Sequence, residues 1–198
     1  MFDSVNSYYK FHSKIYDLTR WGILFGRNRI LNLIPNSLNP QKILDLGCGT
    51  GKHLLKLAEF FPEAHITGID SSEEMLRKTS VKIQQSKRIK LFNTDIASLR
   101  SEPETYDLIL CSYSLSMFGD LNEYIDLIQN SLNQSGVVAI VDFHSTPIPL
   151  FERWMKFNHV NISGSLFTQI EKYFKVRHQE TKSVYFGLWK YTFFLGQK

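Results

Sequence analysis

The ten residues KILDLGCGTG, from Lys42 to Gly51, decide how the chain is read. A short apolar run holding Ile43, Leu44 and Leu46 reaches Asp45 and then meets glycines at 47, 49 and 51. A brief β-forming run that ends in alternating glycines marks a strand turning into a helix. In parallel-sheet folds ligands bind at the carboxyl ends of strands, and glycines there let a ligand approach the backbone closely.

Outward from this loop, short β-branched runs alternate with helical periods, the pattern of a βαβ sheet. Strands are expected over 42–46, 65–70, 89–93, 106–112 and 136–143. One helix follows Lys52. A second opens at Ser71, where Glu74 completes a capping box. A third opens at Asp120 with Glu123 at the matching offset, places Leu121, Tyr124, Ile125, Ile128 and Leu132 on one face, and stops at Gly136. Beyond Phe143, residues 151–160 and 165–174 read as helices, and 174–184 and 189–196 as two strands able to pair antiparallel. Before Gln41, residues 5–18 and 26–34 read as helices. No repeat or linker interrupts the chain, so residues 1–198 are expected to form one domain.

Composition narrows the class. The 198 residues are 43% hydrophobic and 21% charged, ordinary for a globular domain. The net charge of +4 is small but uneven: residues 1–40 carry 5 basic and 2 acidic groups, 41–150 carry 10 and 14, and 151–198 carry 8 and 3. So small a total does not call for nucleic acid. Cys48 and Cys111 are the two cysteines, too few for a disulfide framework or a paired metal site, which suits a reducing, cytoplasmic setting and implies no metal. The first residues lack the pattern of a signal peptide, and no run approaches a membrane span, so the protein is expected to be soluble or to lie on a membrane surface.

Three cofactor classes compete for the glycine loop. A dinucleotide fingerprint starting at Gly47 and Gly49 needs glycine at 52, which is Lys52. A phosphate loop ending Gly51-Lys52 needs glycine at 46 and Ser or Thr at 53, but finds Leu46 and His53. What remains, an acidic strand tip followed by G-x-G-x-G, resembles motif I of class I S-adenosylmethionine-dependent methyltransferases. The resemblance covers residues 41–143. It implies a doubly wound, mostly parallel seven-stranded α/β sheet, with 1–40 as an N-terminal helical lid, 41–143 as the cofactor core, and 144–198 as C-terminal helices and an antiparallel hairpin. It further implies that Gly47, Gly49 and Gly51 pass under the methionine part of S-adenosylmethionine and that Asp45 holds its ammonium. Asp70, 19 residues after Gly51, stands where the family bonds the ribose hydroxyls, with Ser71 and Met75 beside it. Asp95 and Ile96 match the adenine position, and Cys111, Ser112 and Tyr113 lie under the reactive methyl. Plainer roles stay open: Asp70 as a helix cap, Asp95 as a turn residue, and both cysteines as packing.

Methyl transfer needs in-line approach and exclusion of water more than a catalytic triad, so the acceptor must be read from secondary motifs. The CSYSLSMF segment lacks the [ND]-P-P-[YFW] tetrapeptide of amino-methylating DNA enzymes, and neither cysteine follows a proline. Nucleic acid is not the expected acceptor. The segments YYKFH, IYDLTR, FGR, SYSLSM and VDF resemble bacterial betaine-lipid methyltransferases and, more distantly, phosphatidylethanolamine N-methyltransferases. That resemblance implies a lipid headgroup amine as acceptor. It puts Tyr16 over the sulfonium, with Arg20 nearby, although a core tyrosine reads equally from the helix. Trp21, Ile23, Leu24 and Phe25 among Arg20, Arg27 and Arg29 would suit transient contact with an anionic membrane.

For the acceptor pocket the candidates are Tyr9, Tyr16, Tyr113, Asp142 and His144. His144 is the one suited to deprotonating an ammonium, although strand five was expected to carry a small residue there. Two other functions stand beside the lipid-amine reading. One is a soluble methyltransferase for a small metabolite or quinone precursor; the other is a cofactor-binding protein without turnover. Oligomeric state is not legible.

Overall fold

Four strands form where the sequence places them: β1 Lys42–Leu46, β2 His65–Asp70, β3 Ile89–Asn93 and β4 Tyr106–Ser112. They were located in a computed structural model that describes residues 22–35, 37–84, 86–95, 97 and 105–198. β1 and β4 are buried along nearly their whole length, as continuous apolar runs covered on both faces must be. β5 Leu132–Ser145 follows, and β6 Lys175–Val184 and β7 Trp189–Gln197 close the sheet in the order β3-β2-β1-β4-β5-β7-β6. Strands β3 to β5 pair in parallel across four contacts, while β7 runs antiparallel to both β5 and β6. The sheet is therefore mixed, with its hairpin at one edge.

Helices cover both faces. α1 Arg29–Leu33, α2 Lys52–Phe60, α3 Glu73–Ile83 and α5 Pro149–Phe157 bury apolar residues in one core, among them Ile30, Leu54, Leu76 and Met155. α4 Leu121–Asn130 and α6 Ser165–Ile170 close the second core with Ile125, Ile128, Phe167 and Ile170. β1 serves both, since Ile43 faces the first and Leu44 and Leu46 the second. No described helix is long and apolar enough to cross a membrane.

Several boundaries differ from the sequence reading, each for a local reason. α3 is capped by Ser72, not Ser71. The Ser72 N–H donates to Asp70 Oδ1 at 2.9 Å, which turns the chain one residue further before Ser72 Oγ accepts from Met75 N. Glu74 is thus inside the first turn and forms no capping box with Ser71. Asp120 does cap α4, accepting from Glu123 N at 3.3 Å. The helix ends at Asn130, and Leu132 begins β5. Gly136 is not its stop: the β4–β5 register jumps between the Tyr106–Leu132 and Leu108–Val137 pairs, and a Cβ on Gly136 would lie 2.9 Å from Leu132. The helix expected over 26–34 is the five-residue α1, preceded by a turn at Gly26, and the one expected over 165–174 ends at Ile170. The helix expected over 5–18, and with it most of the expected lid, lies outside the described residues.

Candidate active site

The carboxyl ends of β1, β2, β3 and β4 open onto one cavity of about 1260 Å³. That exceeds the roughly 300–1,000 Å³ of ordinary ligand pockets, so it has room for two reactants. The glycine loop forms its floor. Gly47, Gly49 and Gly51 all have positive φ, +74°, +54° and +74°, which glycine adopts without strain. A Cβ at Gly47 would sit 2.6 Å from Ser114, and one at Gly51 would sit 2.4 Å from Thr79. One at Gly49 meets nothing within 4 Å: this glycine is open where the others are packed.

Neighbouring elements fix the loop. The N–H groups of Gly47 and Cys48 donate to Ile69 O at 2.9 and 3.0 Å. Asp70 Oδ2 accepts from Gly49 N at 2.7 Å while its Oδ1 holds Ser72 N, so one carboxylate joins the loop to the start of α3. From α3, the Thr79 hydroxyl lies 2.8 Å from Gly49 O, and Lys82 Nζ donates to Thr50 O at 2.7 Å. Beneath the loop Asp45 is 1% exposed, and its Oδ2 accepts no hydrogen bond among the described residues. Burial pushes its pKa up to about 7, although the Arg27 guanidinium opposes the rise. His53 is also buried and donates to Arg27 O at 2.8 Å.

The wall beyond Tyr113 is built by the segment before α1. The Tyr113 hydroxyl donates to Phe25 O at 2.7 Å, and Leu24, Phe25 and Arg27 line the cavity with Met117 and His159. The charges on this lining divide by element. Asp70, Asp95, Asp120 and Glu123 come from the β2, β3 and α4 side, with Lys82 of α3 among them; Arg27, Arg29, Lys52 and Lys56 come from the segment before α1, α1 itself and α2, with Glu59 of α2 among them.

Residues 39–185 match the pattern of the family described as a methyltransferase domain. The chain belongs to this family of S-adenosylmethionine-dependent methyltransferases. The chain is 35% identical over 102 residues to a malonyl-[acyl-carrier protein] O-methyltransferase of Bacillus anthracis, a stretch covering 52% of this chain and 37% of that protein. It is 26% identical over 157 residues to a demethylmenaquinone methyltransferase of Clavibacter sepedonicus, covering 77% and 60%. The chain thus spans between about a third and three fifths of these relatives' lengths. The N-methyltransferase NodS of Bradyrhizobium japonicum, solved with S-adenosylhomocysteine, superposes with a TM-score of 0.71 at 19% identity, covering 88% of this chain and 87% of that one. That likeness is one of fold.

The donor set of this methyltransferase suits its family's cofactor. A buried carboxylate with a lone oxygen lies under a loop that is open at Gly49, and the Asp70 carboxylate, an acceptor of the kind a vicinal diol takes, lines the cavity beside it. Gly47, Gly49, Asp70, Ser71, Met75, Asp95 and Tyr113 all line the cavity. Gly51 starts α2 and packs on Thr79. Cys111 does not reach the cavity: its side chain is buried in the α4 core, where desolvation raises the thiol pKa well above the ordinary value. Burial likewise raises Cys48, so neither cysteine is a nucleophile.

The expectation that His144 serves the acceptor is not met by the geometry. Its ring stacks 5.8 Å from Phe167 on the α6 side and its Nδ1 lies 3.2 Å from Thr192 Oγ1, because even-numbered residues at the end of β5 face away from Tyr113. Asp142 is also turned away, fully buried, accepting from the N–H groups of Ser116 and Phe143. Tyr9, Tyr16, Arg20 and Ile96 lie outside the described residues. Arg27, assigned from sequence to a membrane, lines the cavity instead, while Arg29 pairs with Glu180 at 2.7 Å and sits over the Phe193 ring. Sequence reasoning missed Arg27, Thr79 and His159 as site residues. Gly26 was the available signal for Arg27: it has φ +78°, and a Cβ there would lie 2.5 Å from Phe193, so only glycine fits the turn that leads into Arg27.

Proposed function

We propose that this protein methylates an oxygen of a small acceptor bearing a carboxylate, using S-adenosylmethionine, and that the lipid-amine reading is set aside. The basic excess on the wall built by Arg27, α1 and α2, where Arg27, Arg29, Lys52 and Lys56 outnumber Glu59, carries this reading. An anionic acceptor is attracted to the sector of Arg27, Lys52 and Lys56, whereas an ammonium headgroup is repelled there. Local identity to an O-methyltransferase of a malonyl carrier thioester supports the same choice, while the longer match to a demethylmenaquinone methyltransferase favours a non-amine acceptor without supporting a carboxylate.

When bound, S-adenosylmethionine supplies a methyl group on a sulfonium, which a carboxylate oxygen accepts without losing a proton. The chain's own residues then need to position and to exclude water. Asp45 and the Gly47–Gly51 loop would hold the methionine ammonium end, with the Arg27 guanidinium answering its carboxylate. Asp70 would take the ribose hydroxyls and Asp95 the adenine side. Tyr113 and Met117 would bound the reacting centre. No general base is required, which agrees with His144 standing outside the cavity.

The test is incubation with methyl-labelled cofactor and, separately, small di- and tricarboxylic acids, a malonyl thioester, a quinone extract and total polar lipids. Alkali-labile label, released as methanol from the acid or thioester pools, is the expected result. Alkali-stable label on lipid amines would overturn the acceptor assignment. Tight cofactor binding with no transfer to any pool would favour a binding protein without turnover.

A further inference from the structure

Away from the cavity, the three most exposed large apolar side chains among the described residues, Phe186, Phe157 and Leu150, fall on α5 and the turn from β6 to β7. Along α5, Leu150, Trp154 and Phe157 recur at intervals of four and three, so they share one face. They are 75%, 49% and 82% exposed. The other side of the same helix buries Met155 and packs Phe151 on the core. One apolar face suffices to anchor a helix, and α5 has two.

The turn from β6 to β7 contributes to the same surface. Tyr185, Phe186 and Gly187 are all left-handed, with φ of +46°, +58° and +96°. For the two aromatic residues this conformation costs roughly 1–2 kcal/mol each. Its result is that Phe186 projects fully into solvent. An unbroken chain of rings links turn and helix: Trp154 to Phe151 at 5.7 Å, Phe151 to Trp189 at 5.3 Å, and Trp189 to Tyr185 at 5.2 Å.

We propose that α5 and the β6–β7 turn form a docking face for an anionic lipid bilayer. Charge and shape both select this occupant. At about 100° per residue, Arg153 borders the Leu150–Trp154–Phe157 stripe while Glu152 points nearly opposite. Lys156 and Lys190 add to a C-terminal part carrying 8 basic and 3 acidic residues. Two copies meeting through this face would oppose like charges. A fully projecting Phe186 on a convex turn suits a deformable apolar phase better than a flat protein surface. The face also borders the cavity: Phe25, on its wall, packs on Tyr185 and Trp189 at 5.5 and 6.2 Å, and His159, two residues past α5, lines it. Docking would place this side of the cavity next to the bilayer.

The full-length protein is tested by co-sedimentation with vesicles of equal phosphatidylglycerol and phosphatidylcholine, against phosphatidylcholine alone. Wild type should pellet with the anionic vesicles, release in part at high salt, and show a blue shift of tryptophan emission. The double variant Trp154→Ser, Phe157→Ser and the single variant Phe186→Ser should each lower the partition coefficient about tenfold or more, since each removes buried apolar area. Their cofactor affinity should stay at the wild-type value, because none of the three residues lines the cavity, and Phe186→Ser, whose side chain is fully exposed, should also keep the wild-type thermal midpoint. The proposal fails if wild type stays in the supernatant or if the variants bind vesicles equally. It also fails if a concentration-dependent dimer is dissolved by the variants, which makes a second copy the occupant. Loss of thermal stability without loss of vesicle binding would equally sink it, by showing that these side chains serve packing within the protein. Transfer to a soluble acceptor is read separately, so a wrong acceptor assignment leaves this result standing.

Discussion

His53 Nε2 lies 2.8 Å from the carbonyl oxygen of Arg27, joining the first turn of α2 to the segment that precedes α1. Burial, with repulsion from Arg27 second, pushes the His53 pKa down to about 3, so the ring is neutral and Nε2 carries the proton it donates. Two parts of the cavity wall distant in sequence are thereby held in one register, and the Arg27 side chain stands close enough to Asp45 to oppose its protonation.

Replacing His53 with Leu removes this donor and strands a carbonyl. The expected cost is about 1–3 kcal/mol of stability, with cofactor affinity lowered about tenfold as Arg27 loosens. Denaturant unfolding and calorimetric titration with S-adenosylhomocysteine measure the two. The sign of the pH effect follows from the lowered pKa. His53 contributes fully above the unfolded value near 6.5, and that contribution is lost as pH falls towards 3. The variant should lack this acid-side loss, and unchanged affinity would detach Arg27 from cofactor binding.

Asp45 runs the opposite way. Its folded pKa of about 7 lies above the unfolded value near 3.8, so the ligand-free protein is favoured below pH 4 and loses that contribution as pH rises through 7. A cofactor ammonium favours the ionised form, so affinity for S-adenosylhomocysteine should tighten between pH 5 and about 7 and then level off. Asp142, raised to about 6, titrates in the same window. The informative quantity is therefore the difference from Asp45→Asn. That variant should show a flatter stability profile and a nearly pH-independent affinity; an affinity slope equal to wild type would show that Asp45 does not face the ammonium.

The positions of β1, β2 and β4 were legible in the sequence because these strands are buried along most of their length and read as near-continuous apolar runs, whereas β3, at the sheet edge, is largely exposed and was legible from its β-forming run alone. The glycine loop was legible because its spacing excludes the alternatives outright. What failed depended on partners remote in the chain. Ser72 displaced Ser71 as a cap because Asp70 had already taken the Ser72 N–H, and β5 took in Leu132 through a bulge at Gly136. His144 was chosen for its ordinary pKa, yet which face of β5 it occupies follows from side-chain alternation past Phe143, which packs on Tyr113 at 4.7 Å. Arg27 was read as a surface charge because nothing local announces that His53, 26 residues later, holds its backbone.

Two glycines in the loop should respond differently to the same methyl group. Gly51→Ala places a Cβ 2.4 Å from Thr79 at φ +74°, in contact with the residue that bonds Gly49 O. Stability should fall by about 2 kcal/mol or more, with loss of cofactor binding as its consequence. Gly49→Ala meets no atom within 4 Å, so the loss of stability should stay near 1 kcal/mol while cofactor affinity falls at least tenfold, the methyl standing in the cavity. Thermal unfolding with and without S-adenosylhomocysteine separates the cases, and equal midpoints for the two apo variants would contradict the packing.

Tyr113 was expected to act on the acceptor, and its hydroxyl instead donates to Phe25 O at 2.7 Å, with burial raising its pKa well above the ordinary phenol value. It is a positioning residue for the same wall that His53 holds two residues further along. Tyr113→Phe should cost about 0.5–1.5 kcal/mol, less than His53→Leu, because the ring still packs on Phe143. The two tethers grip one short segment, so their effects on cofactor affinity should not add: once either is gone, Arg27 is already loose and removing the other costs less. A double-mutant cycle on the S-adenosylhomocysteine dissociation constant reads this coupling, expected at about 0.5–1 kcal/mol. Strict additivity would mean that Phe25 and Arg27 move independently and that Tyr113 is a packing residue alone.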